Sequence, residues 1–253
     1  MSSTSFQRQS LSDTQLEGLI NERARFKQRS HDTHTQTHQP QLESSSSINS
    51  SLTTIAREFP PQIDVVLLGD SMLERFKTTG KDTQIGQLQY PRVFNAGVGG
   101  DKIENVLYRI RLGLLSMLKA KNPKLVVIQI GTNNLQPKRS LHGLDLDNYR
   151  LLLQASLRLL PAQTQILVTG LFKRKDVDEQ CVLQSNMDIK QIVNTINTQE
   201  TNRQTEENYR VHWMEPPEEI QQDHLADNVH LNLYGYQIWD DKLHSKIQQL
   251  LNT

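Results

Sequence analysis

From residue 60 onward the chain alternates short apolar runs of strand length with longer segments whose apolar residues recur at helical spacing. This alternation is typical of a parallel α/β sheet, in which a helix follows each strand. The runs predict strands at 63–68, 93–96, 125–130, 166–168 and 209–214. Around Leu67 and Val127 the runs are nearly continuous, which indicates two central strands covered on both faces.

Helices are predicted between and after these strands. The first covers 101–119, where Asp101 and Glu104 have the spacing of a capping box and the apolar residues that follow share one face. The others cover 145–160, which Pro161 ends, and then 183–198 and 233–251. The predicted fold class is therefore α/β, with a parallel five-stranded sheet between two layers of helices.

Residues 1–58 differ in composition, because large apolar side chains are few and 31–51 is dominated by Ser, Thr, Gln and His. Such a segment buries too little apolar surface to offset the entropy lost on ordering. We therefore expect a mobile, low-complexity tail over 1–58 and one folded domain over 59–253. Within the tail, 12–29 could form a short helix, with Ser12 and Gln15 as a capping box. Its apolar stripe would consist of Leu16, Leu19, Ile20 and Phe26.

The charged residues balance, with 28 Lys and Arg against 28 Asp and Glu. No net field therefore favours nucleic acid or an acidic membrane as a partner. No stretch approaches the roughly 18 apolar residues of a membrane-spanning helix, and the start of the chain lacks the basic and apolar regions of a secretory signal. The single cysteine, Cys181, cannot form an internal disulfide, which fits a reducing compartment. We expect a cytoplasmic protein.

Four short segments place reactive or hydrogen-bonding residues beyond predicted strands. Because the C-terminal ends of parallel strands line one edge of a sheet, residues far apart in sequence can converge there on one crevice. A serine, a histidine, a carboxylate and amide donors are the components of acyl-transfer sites. The segments are GDS at 69–71, NAGVGG at 95–100, GTNN at 131–134 and DNVH at 227–230.

Ser71 directly follows the first strand, where a strand-to-helix turn presents the hydroxyl at the sheet edge. A serine hydroxyl needs a neighbouring base at neutral pH, and His230 is the best candidate. Asp227 lies three residues before His230, a spacing that brings the two side chains to one side of a turn. Taken alone, an Asp-Ser pair more often caps a helix and a single histidine is more often structural. Only the combination of the serine, the histidine and the carboxylate favours a catalytic site.

An oxyanion hole needs donors directed at the developing negative charge. Gly97, Gly99 and Gly100 follow the second strand, and the missing side chains let backbone N–H groups approach a ligand closely. Asn133 offers a side-chain amide. Each position also has an ordinary explanation, because Gly and Asn are common turn residues.

Together these segments resemble the four consensus blocks of the SGNH, or GDSL-type, hydrolases. GDS, NAGVGGD, GTNN and DNVHLN occur in the family order within residues 62–250. The resemblance implies a flavodoxin-like, three-layer α/β/α fold and a serine-dependent carboxylic ester hydrolase that acts on a small-molecule acyl ester without metal or cofactor. It implies Ser71 as nucleophile, Asp227 and His230 as its partners, and the Ser71 N–H, the Gly100 N–H and the Asn133 side chain as oxyanion donors.

Within the family, GDSM, NAGVGGD and GTNN are similar to the catalytic subunits of intracellular platelet-activating-factor acetylhydrolase. Met72 stands where the family has the leucine of its name, a departure shared with that subgroup. Residues 1–58 match nothing in the family pattern, and we expect them to be dispensable for the chemistry. Specificity should come from the loops at 136–146 and 172–186, because variable loops carry function on a rigid scaffold.

Three other interpretations are open. The glycines at 97–100 precede a predicted helix whose N-terminus could hold a phosphate, although their spacing matches neither the dinucleotide-binding nor the P-loop pattern. His31, His34 and His38 could bind a metal ion, although the tract lacks cysteine. The third interpretation is a non-catalytic binding or scaffold protein, since a fold alone does not establish activity. The complete set of nucleophile, base, carboxylate and donors argues against it.

Overall fold

The structure, a computed structural model, describes residues 11–44, 63–87, 92–200 and 209–252. Within these residues five strands form one sheet in the order β2-β1-β3-β4-β5, and all neighbouring strands are parallel. This is the flavodoxin-like order of a doubly wound sheet, and the predicted fold class is confirmed. The strands are β1 (Val65–Gly69), β2 (Val93–Gly97), β3 (Leu125–Gln129), β4 (Gln165–Thr169) and β5 (Val211–Met214).

The two strands predicted to be central are central. β1 and β3 are buried along their whole length, and each lies between two other strands. Alternate side chains enter two separate cores, because both faces of a parallel sheet must be covered. In β1, Val66 and Leu68 join one core, whereas Val65 and Leu67 join the other.

Helices cover both faces of the sheet and give three layers. The larger core packs under α1 and α5 to α8, and the smaller core packs under α4 and α9. None of the helices in the described ranges combines the length and hydrophobicity that crossing a bilayer requires. The helices are α1 (Asp13–Arg23), α2 (Gln28–Thr33), α3 (Gln39–Ser44), α4 (Ser71–Glu74), α5 (Ile103–Arg111), α6 (Leu114–Ala120), α7 (Leu144–Leu159), α8 (Glu179–Glu200) and α9 (Leu233–Leu251).

The helix predicted over 101–119 is broken into α5 and α6. Gly113 lies between them with a φ of +96°, a left-handed conformation that glycine adopts without a steric penalty. The predicted capping box of Asp101 and Glu104 is also wrong, because the Asp101 carboxylate is fully buried against Arg109 at 3.0 Å. Asp101 therefore holds the loop before the helix and does not cap it.

Residues 11–44 pack on the sheet domain, so the expectation of a mobile tail is wrong for this part of the chain. We call residues 11–44 the N-terminal segment. Leu16 and Ile20 of α1 belong to the larger core, where α1 contacts α5 and α7. The predicted boundary between residues 58 and 59 lies outside the described residues.

The helix predicted over 12–29 is confirmed at its start. The Gln15 N–H donates to Ser12 Oγ at 3.2 Å, and the Ser12 N–H donates to Gln15 Oε1 at 2.9 Å. The helix ends at Arg23, however, and Phe26 is 59% exposed instead of continuing the buried stripe.

The N-terminal segment buries a face that is partly polar, which is why the composition of 31–44 wrongly predicts a mobile tail. Ser30, His34, His38 and Leu42 are buried and follow one another at four-residue intervals. Because an α-helix turns once in about 3.6 residues, a four-residue stripe drifts around its surface. A π-helical turn at His34–His38, between α2 and α3, has more residues per turn and keeps the stripe on one side. A hydrophobic pattern cannot predict a buried stripe that carries serine and histidine.

Candidate active site

Ser71 is the first residue of α4 and comes two residues after the end of β1. Between them, Asp70 caps the helix, because its Oδ1 accepts the Met72 N–H at 2.9 Å. Asp70, and not Ser71, is therefore the residue that caps this helix. The Ser71 N–H, at the first helical position, has no acceptor within its own helix.

Ser71, His230 and Asp227 are joined by hydrogen bonds into a Ser-His-Asp chain. Ser71 Oγ lies 2.9 Å from His230 Nε2, and His230 Nδ1 lies 2.7 Å from Asp227 Oδ2. Asp227 Oδ1 accepts the backbone N–H groups of Val229 and His230 at 2.8 and 2.7 Å. The carboxylate and the imidazole are therefore fixed by a single turn, as their spacing in the sequence predicts.

The electrostatics of this turn favour a charged Asp227. Burial opposes ionisation, but hydrogen bonds from the His230 backbone, the His230 ring and the Val229 N–H hold the pKa of Asp227 well below its usual range. A carboxylate at Nδ1 favours the tautomer with the proton on that nitrogen, which leaves Nε2 as an acceptor facing Ser71. The arrangement can take a proton from the Ser71 hydroxyl and later return it to a leaving group.

The loop after β2 contains a type II turn. The Asp101 N–H donates to the Val98 carbonyl oxygen at 3.1 Å, and Gly100, the third residue of the turn, has a φ of +73°. Within the described residues, neither the Gly100 N–H nor the Ser71 N–H has a hydrogen-bond acceptor. Asn133 lies beside the turn, since its Nδ2 donates to the Asp101 carbonyl oxygen at 2.9 Å. Only one of its two amide hydrogens is used by that contact.

Of the other two predicted glycines, Gly97 has a packing role. Its N–H donates to Asn95 Oδ1 at 2.9 Å, so this N–H is not available to a ligand. A Cβ at Gly97 would lie 2.4 Å from the backbone nitrogen of Glu74, which shows how closely α4 approaches the loop. A Cβ at Gly99 would meet side chains of Arg29 and Glu74 at 2.7 Å.

A buried ion pair between Arg109 and Asp101 holds the loop after β2 in place. Arg109 Nε donates to Asp101 Oδ2 at 3.0 Å, and the other guanidinium nitrogens donate to the carbonyl oxygens of Ala96 at 2.8 Å and Gly69 at 3.2 Å. Burial lowers the pKa of Arg109, and the Asp101 carboxylate opposes that shift. One guanidinium thus ties the ends of β1 and β2 to the turn. The one sequence signal for this role is the position of Arg109, three residues after Val106 on the face predicted to be buried.

The N-terminal segment reaches the same turn. Lys27 Nζ donates to the Gly99 carbonyl oxygen at 2.8 Å and lies 3.6 Å from Asp101 Oδ1. Ser30 Oγ donates to the same carboxylate oxygen. No motif surrounds Lys27 or Ser30 in the sequence, and the composition of the segment predicts a mobile tail.

Asp70, next to the candidate nucleophile, is fully buried. Burial raises the pKa of Asp70 to about 7, with the nearby Asp101 adding to the shift and the hydrogen bond from the Met72 N–H opposing it. Within the described residues its Oδ2 has no hydrogen-bond partner. A partly protonated Asp70 brings less negative charge towards Ser71 than an ionised carboxylate would.

The loops after β3 and β4, which are predicted to carry specificity, form one wall. The Asp178 N–H donates to the Pro137 carbonyl oxygen at 2.8 Å and so joins the two loops. The Lys175 N–H donates to the Asn228 carbonyl oxygen at 2.9 Å, which links this wall to the turn that holds Asp227. The helices that follow these loops carry exposed apolar side chains, namely Leu144 at the first position of α7 and Leu183 and Met187 within α8.

The phosphate and metal interpretations find no support in the described residues. At the start of α5, the N–H groups of Lys102 and Ile103 donate to the side chains of Asn105 and Asn134, so these groups do not face a ligand. Among the residues that the structure describes, no group of three or more His, Cys, Asp or Glu side chains could hold a metal ion. In the histidine tract, His31 Nδ1 is 3.1 Å from the Tyr108 hydroxyl.

Comparisons with known structures agree with the fold. Similar structures include a GDSL-like lipase from Bacteroides thetaiotaomicron VPI-5482, a psychrotrophic esterase from Pseudoalteromonas sp. and a carbohydrate acetylesterase from Sinorhizobium meliloti. In that order, identities are 16%, 17% and 15%, and TM-scores are 0.54, 0.53 and 0.54. The matches cover 82%, 75% and 75% of this chain and 97%, 99% and 100% of theirs. At these identities the likeness shows the fold alone.

The family is shown by a match to the sequence itself. No curated protein matches the chain. Residues 67–238, more than half of the 253 residues, match the model of the GDSL-like Lipase/Acylhydrolase family. The matched range includes all four of the segments in which candidate site residues were found. The chain thus belongs to the GDSL-like lipase/acylhydrolase family and is an ester-bond hydrolase.

Proposed function

We propose that this protein is a serine-dependent carboxylic ester hydrolase that works through an acyl-serine intermediate. Ser71 is the nucleophile, His230 is the base, and Asp227 orients and stabilises the imidazole. The Ser71 N–H, the Gly100 N–H and the Asn133 amide are the oxyanion donors. The proposal is carried by the Ser-His-Asp chain, with its distances of 2.9 and 2.7 Å.

In the first half of the reaction, His230 Nε2 takes the hydroxyl proton as Ser71 Oγ attacks the carbonyl carbon of the ester. The carbonyl oxygen becomes negatively charged and is stabilised by the three donors. The tetrahedral species then collapses. The C–O bond to the alcohol breaks, and His230 gives its proton to the leaving oxygen. Water repeats these steps on the acyl-serine and releases the carboxylic acid.

For the substrate we propose a short acyl ester, with acetyl as the first choice. The resemblance of GDSM, NAGVGGD and GTNN to the platelet-activating-factor acetylhydrolase subunits supports a short acyl group. A structural relative is described as a carbohydrate acetylesterase. Leu144 is exposed at the start of the helix that follows the loop after β3, and it offers an apolar contact for a leaving group such as a lipid alcohol. The single cysteine supports a cytoplasmic location as part of this proposal.

The scaffold alternative is not favoured. A binding protein with this fold has no need of a histidine held between a carboxylate and a serine. Nor does it need backbone donors without acceptors beside that serine. In the described residues, the turn after β5 brings His230 and Asp227 to Ser71, and the loop after β2 contains the Gly100 N–H without an acceptor.

A panel of p-nitrophenyl esters with acyl chains from acetyl to decanoyl tests both parts of the proposal. We expect turnover that is highest for the acetyl ester and falls as the acyl chain lengthens.

Ser71→Ala should lower kcat on the order of a million-fold, because loss of the nucleophile disables the whole Ser-His-Asp unit. Ser156→Ala is a matched control, since among the described residues this buried hydroxyl bonds only to the Leu152 carbonyl oxygen of its own helix, α7. Wild-type turnover of Ser71→Ala would contradict the mechanism, and a preference for decanoyl esters would contradict the acyl assignment.

A further inference from the structure

We propose that Lys27 is a positioning residue for the oxyanion hole and acts through the peptide bond between Gly99 and Gly100. This role rests on the proposed function, because it concerns the Gly100 N–H as a donor. The observation behind it is the hydrogen bond of 2.8 Å from Lys27 Nζ to the Gly99 carbonyl oxygen. The N-terminal segment would then complete the active site from outside the four family blocks.

The geometry of a trans peptide links this contact to the donor. The Gly99 C=O and the Gly100 N–H belong to one planar unit and point in opposite directions. A group that holds the Gly99 oxygen on one side therefore holds the Gly100 N–H towards the other. Lys27 does so from the side of the N-terminal segment.

The turn itself does not fix this orientation. Types I and II of the turn differ by a flip of their central peptide, which here is the peptide between Gly99 and Gly100. Glycine has no Cβ to disfavour either form, so a glycine pair leaves both accessible. The φ of +73° at Gly100 corresponds to type II. An outside contact such as that of Lys27 can therefore decide which form is populated.

The charge of Lys27 adds to its effect. A hydrogen bond from an ammonium group polarises the peptide, and hydrogen bonds in series strengthen one another. The Gly100 N–H then becomes a better donor to a developing oxyanion. The Lys27 side chain is 30% exposed, so this bond is partly shielded from water.

Neighbouring contacts hold Lys27 in place. Ser30, one turn along α2, donates to Asp101, which lies 3.6 Å from Lys27 Nζ. Arg29 pairs with Glu74 of α4 at 2.9 Å. The residues next to Lys27 in α2 are thus themselves bonded to the turn, through Ser30, and to α4, through Arg29.

Steady-state kinetics of Lys27→Met tests the role, because methionine keeps the apolar stem and removes the donor. We expect kcat to fall roughly tenfold with little change in KM, less than the 100-fold or more that loss of an entire oxyanion donor costs. Lys27→Arg should restore most of the rate. Lys27→Gln replaces the methionine variant if that protein does not fold.

The control is Arg158→Met. Arg158 pairs with Asp13 at 2.6 Å, so its loss weakens the docking of the N-terminal segment without touching the turn. We expect kcat to stay at the wild-type value. If Lys27→Met and Arg158→Met lost the same fraction of kcat, or neither lost any, Lys27 would be a docking residue only and the inference would be overturned.

A second measurement does not need activity. The ¹H–¹⁵N resonance of the Gly100 amide should move in Lys27→Met and stay in place in Arg158→Met. An unmoved resonance in Lys27→Met would overturn the inference. If the wild-type protein showed no turnover above Ser71→Ala, the proposed function would fail, and the resonance would still decide whether Lys27 controls this peptide.

Discussion

The Ser-His-Asp chain and the N-terminal segment place histidines in opposite environments. The His230 side chain is 22% exposed and has a polar partner at each ring nitrogen. His34 and His38 of the π-helical turn are fully buried, and burial lowers the pKa of His34 to about 4 and that of His38 to about 2. The first environment lets a proton move between neighbours, whereas the second keeps the ring neutral.

The comparison extends to the charges around each region. Asp227 faces His230, so a positive charge that forms on the ring meets a carboxylate. His38 packs edge-on to the ring of Phe94, with centroids 5.7 Å apart, and the cations Arg109 and Lys77 disfavour a further positive charge there. In the proposed mechanism the same residue type therefore supports chemistry in one region, whereas it supports packing in the other.

Of the changes that test this comparison, Asp227→Asn should have the largest effect on kcat, because it removes the carboxylate that stabilises a charged His230. We expect kcat to fall on the order of 10,000-fold, because the imidazole loses its preferred tautomer. The matched control is Asp223→Asn, since Asp223 also contacts a histidine, His224, at 3.0 Å. Kinetics with the acetyl ester should show full activity in the control. Equal effects of the two substitutions would remove the special role of Asp227.

Asn133→Ala should have the next largest effect. We expect a loss of roughly 100- to 1,000-fold in kcat with a smaller change in KM, because an oxyanion donor acts mainly on the transition state. Asn133→Asp keeps the shape and removes the amide hydrogens, so it should be at least as inactive. An effect confined to KM in either variant would instead make Asn133 a substrate-binding residue.

The smallest effect concerns stability in mild acid and tests the buried histidines. Below a pH of about 6.5 the unfolded chain binds protons that buried, neutral histidines do not, so stability falls with decreasing pH. For His38 we expect this loss of stability to be about 2 kcal/mol at pH 5 relative to neutral pH. Asp70, with its raised pKa, contributes in the opposite direction as the pH falls below about 7.

Comparing variants isolates the contribution of one histidine from that of Asp70. Urea unfolding at pH 7.5 and pH 5 should show a smaller acid loss in His38→Leu than in the wild-type protein. His142→Leu is the control, because this histidine is 58% exposed and should leave the acid loss unchanged. An identical acid loss in all three proteins would mean that His38 is not kept neutral by the fold.

The fold and the candidate site differ in how far the sequence predicts them. β1 and β3 could be predicted because a strand buried on both faces leaves a continuous apolar run. The four segments could be found because each is short and follows a strand. Lys27 could not, since it meets its partner 72 residues away and the contact leaves no local pattern. The role of Arg109 could not be predicted either, because an arginine in a sequence usually indicates a surface position. Its burial depends on Asp101 and on the ends of β1 and β2, which come together only in the fold.

Covalent labelling of Ser71 tests the central claim most directly. A p-nitrophenyl ester of ethylphosphonate should react once per chain, release one equivalent of p-nitrophenolate and add one phosphonyl group to the peptide that contains Ser71. Intact-mass and peptide mass spectrometry should find this label in the wild-type protein, none in Ser71→Ala, and much slower labelling in His230→Ala. A label on another residue, or equal labelling of the wild-type protein and Ser71→Ala, would contradict the assignment of Ser71 as the nucleophile.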